Sequence, residues 1–204
     1  MRLGIARSCA IACTLLAAEA AAAVQSDTAS VVFSSGQSSV TTVEGKSSRL
    51  RKGQQVAVGN LIRTGPSGHV QIRFRDGTFV SVHASSDLRV DAFRYHSSPE
   101  QGDVVQFTLF RGSARFMPGA VGKAKGGQFK VATAVAALEL HGSEMSAEMG
   151  EELRLTVGTG RVEVRNDGGT LSATEGHRVL VRDRRTAPAV VGTLVPHPIL
   201  PEAR

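Results

Sequence analysis

Val70-Gln71-Ile72-Arg73-Phe74-Arg75, then Asp76-Gly77, then Phe79-Val80-Ser81-Val82, is the stretch that decides the fold class. Apolar and polar residues alternate along Val70–Arg75, which places Val70, Ile72 and Phe74 on one side of a strand and Gln71, Arg73 and Arg75 on the other. Asp-Gly between two such runs predicts a tight hairpin, because the turn needs a positive φ that Gly adopts without a Cβ clash. The reading is an antiparallel strand pair with one face in a core.

The same order returns downstream. Arg161-Val162-Glu163-Val164-Arg165 alternates, Asn166-Asp167-Gly168-Gly169 turns, and Thr170-Leu171-Ser172-Ala173 resumes. Leu88-Arg89-Val90 is answered by Val179-Leu180-Val181. Thr108-Leu109-Phe110-Arg111-Gly112-Ser113-Ala114-Arg115-Phe116 is echoed by Thr156-Val157-Gly158-Thr159-Gly160-Arg161-Val162-Glu163-Val164. These echoes predict stacked hairpin units around a shared apolar interior, a β-roll or solenoid-like all-β fold, with a β-sandwich as the alternative. With 22 Gly, no Trp and one Tyr, the composition suits turns and an aliphatic core. From Thr133 to Leu140 the pattern is that of a strand running into a turn at His141-Gly142. Pro118 to Gln128, with four Gly and Lys123 and Lys125, reads as a flexible basic loop.

The amino terminus has the order of a secretory signal peptide. Arg2 and Arg7 are followed by an apolar run to Ala18 and by Ala20-Ala21-Ala22-Ala23, so cleavage is expected after Ala23. The run is shorter than the roughly 20 apolar residues of a spanning helix. Three parts follow: residues 1–23 as a signal, 30–194 as one all-β domain, and 195–204 as a tail broken by Pro196, Pro198 and Pro201. No transmembrane segment is expected in the mature chain, which is placed in the periplasm or outside the cell. Cys9 and Cys13 fall within the signal, so neither disulfides nor thiolate metal sites are expected beyond it.

Catalytic patterns are missing from the sequence. There is no Gly-x-Ser-x-Gly elbow, no His-x-His or His-Glu-x-x-His, and no phosphate-binding glycine signature. His141 and Ser143 share a short stretch without a third partner. Glu139, Glu144, Glu148, Glu151 and Glu152 lack the Asp/Asn/Gly interleaving of a calcium loop and read as a charged hairpin edge. The expectation is a non-enzymatic protein without cofactor or metal. The net charge of +6 favours anionic company, but the basic runs Arg49–Lys52 and Arg182–Arg185 carry no interleaved aromatics, so nucleic acid is not an expected partner.

Beyond the hairpins, the order of motifs resembles the FecR domain, named for the periplasmic regulator of ferric citrate uptake. The likeness runs from Leu50, Gly53, Val58-Gly59-Asn60, Leu61-Ile62 and Thr64 through Asp76-Gly77-Thr78 to Leu88. It continues with Leu109-Phe110-Arg111-Gly112, where the family writes L-x-x-G, and Phe129-Lys130-Val131-Ala132-Thr133-Ala134-Val135-Ala136, where it writes V-x-T-P-x-A. Val157, Gly160, Val162, Val164, Asn166, Gly169 and Gly176-His177 echo its closing hairpins. Ala134 stands in place of the family's Pro, and His141 and Ser143 in place of the Arg and Thr of Arg-Gly-Thr. The resemblance implies envelope binding or sensing. Signal-relaying members place a cytoplasmic segment and a membrane helix before the domain, whereas a cleavable leader is expected here.

The leading expectation is thus a periplasmic or secreted interaction module for envelope sensing or signalling that contacts an envelope protein or polymer through strand edges and the Pro118–Gln128 loop. The alternative is a binder of anionic envelope glycan or lipopolysaccharide through Arg73, Arg75, Arg111 and Arg115 on one strand face.

Overall fold

A computed structural model of the chain describes residues 29–96 and 102–194. The expected signal, residues 97–101 of the Arg94–Asp103 connection and the carboxy-terminal tail lie outside the described residues.

Seventeen strands make up most of the described residues. The first nine are β1 (Ala29–Ser35), β2 (Ser38–Thr41), β3 (Ser47–Arg49), β4 (Gln55–Val56), β5 (Leu61–Thr64), β6 (His69–Phe74), β7 (Phe79–Val82), β8 (Asp87–Arg94) and β9 (Val104–Met117). One short helix, α1 (Ala120–Lys123), comes next. The rest are β10 (Gln128–Ala132), β11 (Ala137–His141), β12 (Met145–Met149), β13 (Leu153–Val157), β14 (Arg161–Asn166), β15 (Gly169–Thr174), β16 (His177–Val181) and β17 (Ala189–Thr193).

Hydrogen-bond pairing sorts the strands into two layers. The first runs β4-β1-β6-β7-β9-β12-β13-β16-β17. The second runs β3-β2-β5-β8-β9-β10-β11-β14-β15. β9 belongs to both: Val104–Arg111 pairs with β8, while Ala114–Met117 pairs with β7. Through this strand all seventeen form one open array that does not close into a barrel. After β9 the hairpins alternate strictly, β10–β11 in the second layer, β12–β13 in the first, β14–β15 in the second and β16–β17 in the first. The expected stack of hairpins is therefore present, folded into two faces.

Period-two burial follows from this arrangement, since each strand turns alternate side chains toward the other layer. Val70, Ile72 and Phe74 are buried as expected, while Arg73 is exposed. An aromatic chain joins the layers. Phe74 of β6 meets Phe107 of β9 edge-on at 5.3 Å, and Phe107 lies 5.5 Å from Phe116 and 5.8 Å from Phe129.

The sequence echo at Thr108 and Thr156 marks two of the crossings between layers. β9 passes from the second layer to the first at Gly112, and the chain passes back from β13 to β14 through Gly160. Their φ values are +77° and +72°, a region costly for other L-residues. Each also has a serine pressed against it. A Cβ on Gly112 would lie 2.3 Å from Ser86 Oγ, and one on Gly160 would lie 2.9 Å from Ser143 Cα. Both serines are fully buried. The Ser86 hydroxyl donates to Ser113 O at 3.1 Å, and the Ser143 hydroxyl to Arg161 O at 2.9 Å.

Three expectations are corrected. Pro118–Gln128 is not a loose loop: it carries the chain from one layer to the other and packs on the core. Val121 is fully buried, and Gly142 N donates to Gly122 O at 2.9 Å. Thr133–Ala136 is a turn rather than the middle of a strand, because the Thr133 hydroxyl donates to Ala136 O and accepts from the amides of Val135 and Ala136. Glu139 and Glu148 are not on an edge, since β11 lies between β10 and β14, and β12 between β9 and β13.

Candidate functional site

Three surface features have the chemistry to receive a ligand. The first is the β17 edge. β17 pairs with β16 alone among the described strands, leaving its other side open. It reads Ala189-Val190-Val191-Gly192-Thr193, without a charge, and Val190 and Val191 are 42% and 61% exposed. Edge strands are usually guarded by charged side chains or proline, which discourage addition of a further strand. Leu194, just beyond, is exposed as well. A groove of about 550 Å³ on the outer face of the first layer reaches this edge, bordered by Ser146, Thr156, Arg178, Leu180, Val191 and Thr193.

The second feature is a row across the outer face of the second layer. Register places Arg49, Ser39, Arg63, Asp87 and Arg111 side by side on β3, β2, β5, β8 and β9. Asp87, largely buried, receives Arg63 Nε at 3.2 Å and Arg111 Nε at 3.0 Å. Hydrogen bonding to this carboxylate, with its charge, raises the Arg111 pKa above the ordinary arginine value. A shallow groove of about 660 Å³ borders the row, with Gln37, Ser47, Ser48 and Ser67 on its walls.

The third is a histidine pair. His69 and His83 stack at 5.2 Å, Phe33 meets His69 edge-on at 5.6 Å, and His69 Nε2 is 2.8 Å from Ser81 Oγ. Partial burial, then the neighbouring His69 and Arg115, hold the His83 pKa below its ordinary value.

The arginines expected on one face are divided. Arg73 and Arg115 lie on the first layer, where Arg115 pairs with Glu144 at 2.8 Å. Arg75 lies in the turn beyond β6, and Arg111 is bound to Asp87 in the second layer. A bend at Gly112 separates Arg111 from Arg115, so their spacing in sequence no longer sets a common face. Lys123 ends α1, and Lys125 follows in the packed crossover, beside a shallow groove that Glu139 and His141 also border. Sequence reasoning missed Arg63 and Asp87, and it noted Arg49 only as part of a basic run. Nothing local marks them, because they become neighbours through pairing between distant strands.

The Ser143 hydroxyl is held by Arg161 O at a layer crossing, which makes it a structural anchor. Among the described residues no three His, Cys, Asp or Glu side chains gather as metal ligands would, and no helix is long and apolar enough to cross a membrane.

Residues 60–163 match the family model described as FecR protein. The chain belongs to the FecR family. The match starts at the turn before β5 and ends within β14, so it contains Arg63, Asp87, Arg111 and the crossings at Gly112 and Gly160 but not β17. FecR-family proteins are regulatory rather than enzymatic, and are associated with the cell envelope. No curated protein matches the chain. Two crystal structures of a candidate anti-sigma factor from Parabacteroides distasonis, at 2.50 and 1.65 Å resolution, share its fold with TM-scores of 0.53 and 0.52. Identity is 20% in each case, over 65% of this chain and 59% of the other. The chain thus covers less than two thirds of those structures.

Proposed function

We propose that this FecR-family protein is a non-enzymatic module of the periplasm or cell exterior that recruits an extended segment of a protein partner by strand addition at β17. The supporting observation is the open, uncharged β17 edge with Val190 and Val191 exposed. A partner strand would gain main-chain hydrogen bonds along the edge, and its alternate side chains would meet the valines and the adjoining groove. An envelope regulator works by such contacts rather than by bond chemistry, which agrees with the family.

The reading is tested by placing a photo-crosslinker at position 191 in living cells and identifying the captured protein, then measuring amide exchange on the purified pair. Residues 189–193 are expected to slow their exchange when the partner is bound, and Val191→Lys is expected to weaken the pair. Unchanged exchange along β17 in a formed complex sinks the proposal.

A further inference from the structure

The arginine row on the second layer has a geometry that strand addition at β17 does not use. Its basic members occupy every second strand: β3 carries Arg49, β5 carries Arg63, and β9 carries Arg111, with Ser39 and Asp87 on the strands between. Neighbouring strands are about 4.8 Å apart, so a guanidinium-bearing strand recurs about every 10 Å across the sheet. The row holds three guanidiniums and one carboxylate. Asp87 is largely buried beneath two of them, so it holds Arg63 and Arg111 in place while their side chains remain 52% and 59% exposed. Arg49 makes no ion pair among the described residues, so the row retains net positive charge.

Fixing two long side chains in advance lowers the ordering cost that an incoming anion would otherwise meet. Arginine also offers a planar fork of donors to carboxylate, phosphate or sulfate oxygens. The rest of the groove points to the same kind of ligand. Its walls supply the hydroxyls of Ser39, Ser47, Ser48 and Ser67 and the amide of Gln37, with no acidic side chain and no large apolar one. Hydroxyl and amide groups suit a polyol. A protein partner would want an apolar anchor, and a single-stranded nucleic acid would want aromatic rings to stack on.

We propose that the groove along Arg49, Arg63 and Arg111 binds a linear acidic polysaccharide, laid across the strands with its anionic groups on successive arginines. Ligand and site both differ from those of the β17 reading, so either can fail alone.

The experiment uses the purified chain with polygalacturonate as the carboxylate polymer, dextran sulfate as a sulfated one and neutral dextran as the uncharged control, by titration calorimetry at low and high salt. Binding to an acidic polymer but not to dextran is expected, weakening as salt rises because exposed charges are screened. Arg49→Gln and Arg63→Gln should each weaken it by up to about fivefold, the range for exposed ion pairs, and the double variant by about the product. Arg73→Gln/Arg75→Gln removes the same charge elsewhere and should leave affinity unchanged. Thermal melting establishes that each variant is folded, and Arg49→Gln leaves the Asp87 pairs untouched if Arg63→Gln melts early. Val191→Lys should not affect polymer binding. An equal loss in the Arg73/Arg75 variant overturns the site in favour of diffuse charge. Failure of both acidic polymers to bind, or tighter arginine-dependent binding of a single-stranded oligonucleotide, overturns the polysaccharide assignment.

Discussion

The Asp76 carboxylate is joined to Thr78 twice: Oδ1 accepts from the Thr78 amide at 2.9 Å, and Oδ2 accepts from the Thr78 hydroxyl at 2.7 Å. Thr78 Oγ1 in turn accepts from Gly119 N at 2.9 Å, and Asp76 O accepts from Ala120 N at 2.8 Å. The Asp76-Gly77-Thr78 turn is therefore the dock on which the crossover from β9 to β10 sits. Asn166 does the same at the β14–β15 turn, where its Nδ2 donates to Asp183 O and Thr186 O at 2.9 and 2.7 Å.

Asp76→Ala removes acceptors from a buried site and leaves the Thr78 amide without its partner. A loss of about 1–3 kcal/mol is expected, as for other buried donors left unsatisfied. Urea denaturation followed by circular dichroism measures it. A change below about 0.5 kcal/mol would show that the dock contributes little.

Gly112→Ala introduces a Cβ both at positive φ and against Ser86. It should destabilise by about 2–4 kcal/mol, combining left-handed strain with overpacking. Gly45→Ala is the comparison, since Gly45 has φ +80° with nothing within 4 Å of the added Cβ; it should cost only about 1–2 kcal/mol. Equal losses in the two would mean that the close approach at the crossing is relieved at no cost.

Excising residues 119–127 should unfold the protein rather than merely remove a contact surface, because Val121 is fully buried and the segment joins the two layers. Lys123→Glu/Lys125→Glu should leave the melting temperature within a few degrees, since surface substitutions usually stay near ±0.5 kcal/mol. Differential scanning calorimetry of both variants decides. A cooperative transition in the excised protein would contradict the packed crossover.

The depressed His83 pKa makes a pH prediction. The unfolded chain takes up the proton near the ordinary value of 6.5 and the folded chain only at lower pH, so the unfolded state binds more protons in between. Stability from this group is present above 6.5 and declines as pH falls toward the depressed folded value. His83→Gln should flatten the decline. Urea midpoints at about pH 7.5 and pH 5.5 check it, and an identical drop in wild type and variant would assign the effect to other groups. Because His83 is only partly shielded from solvent, the difference is expected to be small.

Much of the architecture could be read from the chain itself. Alternation along Val70–Arg75 and Arg161–Arg165 specified strands and their buried faces, because the side-chain period of a strand is a local geometric property. Asp76-Gly77 and Asn166–Gly169 specified turns for the same reason. The Thr108 and Thr156 echoes carried real information, since both lead to glycines at which the chain changes layer. Thr133–Ala136 was misread because a threonine-capped turn between apolar residues preserves the alternation of a continuous strand.

What the amino-acid order determined without help was the all-β class, the main hairpin turns and the buried side of strands such as Val70–Arg75, all fixed by neighbours a few positions apart. Which layer each hairpin joined, and so which side chains share a face, was decided only by tertiary pairing. Arg111 and Arg115 are four residues apart yet lie in different layers, while Arg49, Arg63 and Arg111 come from distant segments to form one row. Register between distant strands depends on how the apolar faces close over a common core, and that is a property of the whole folded chain.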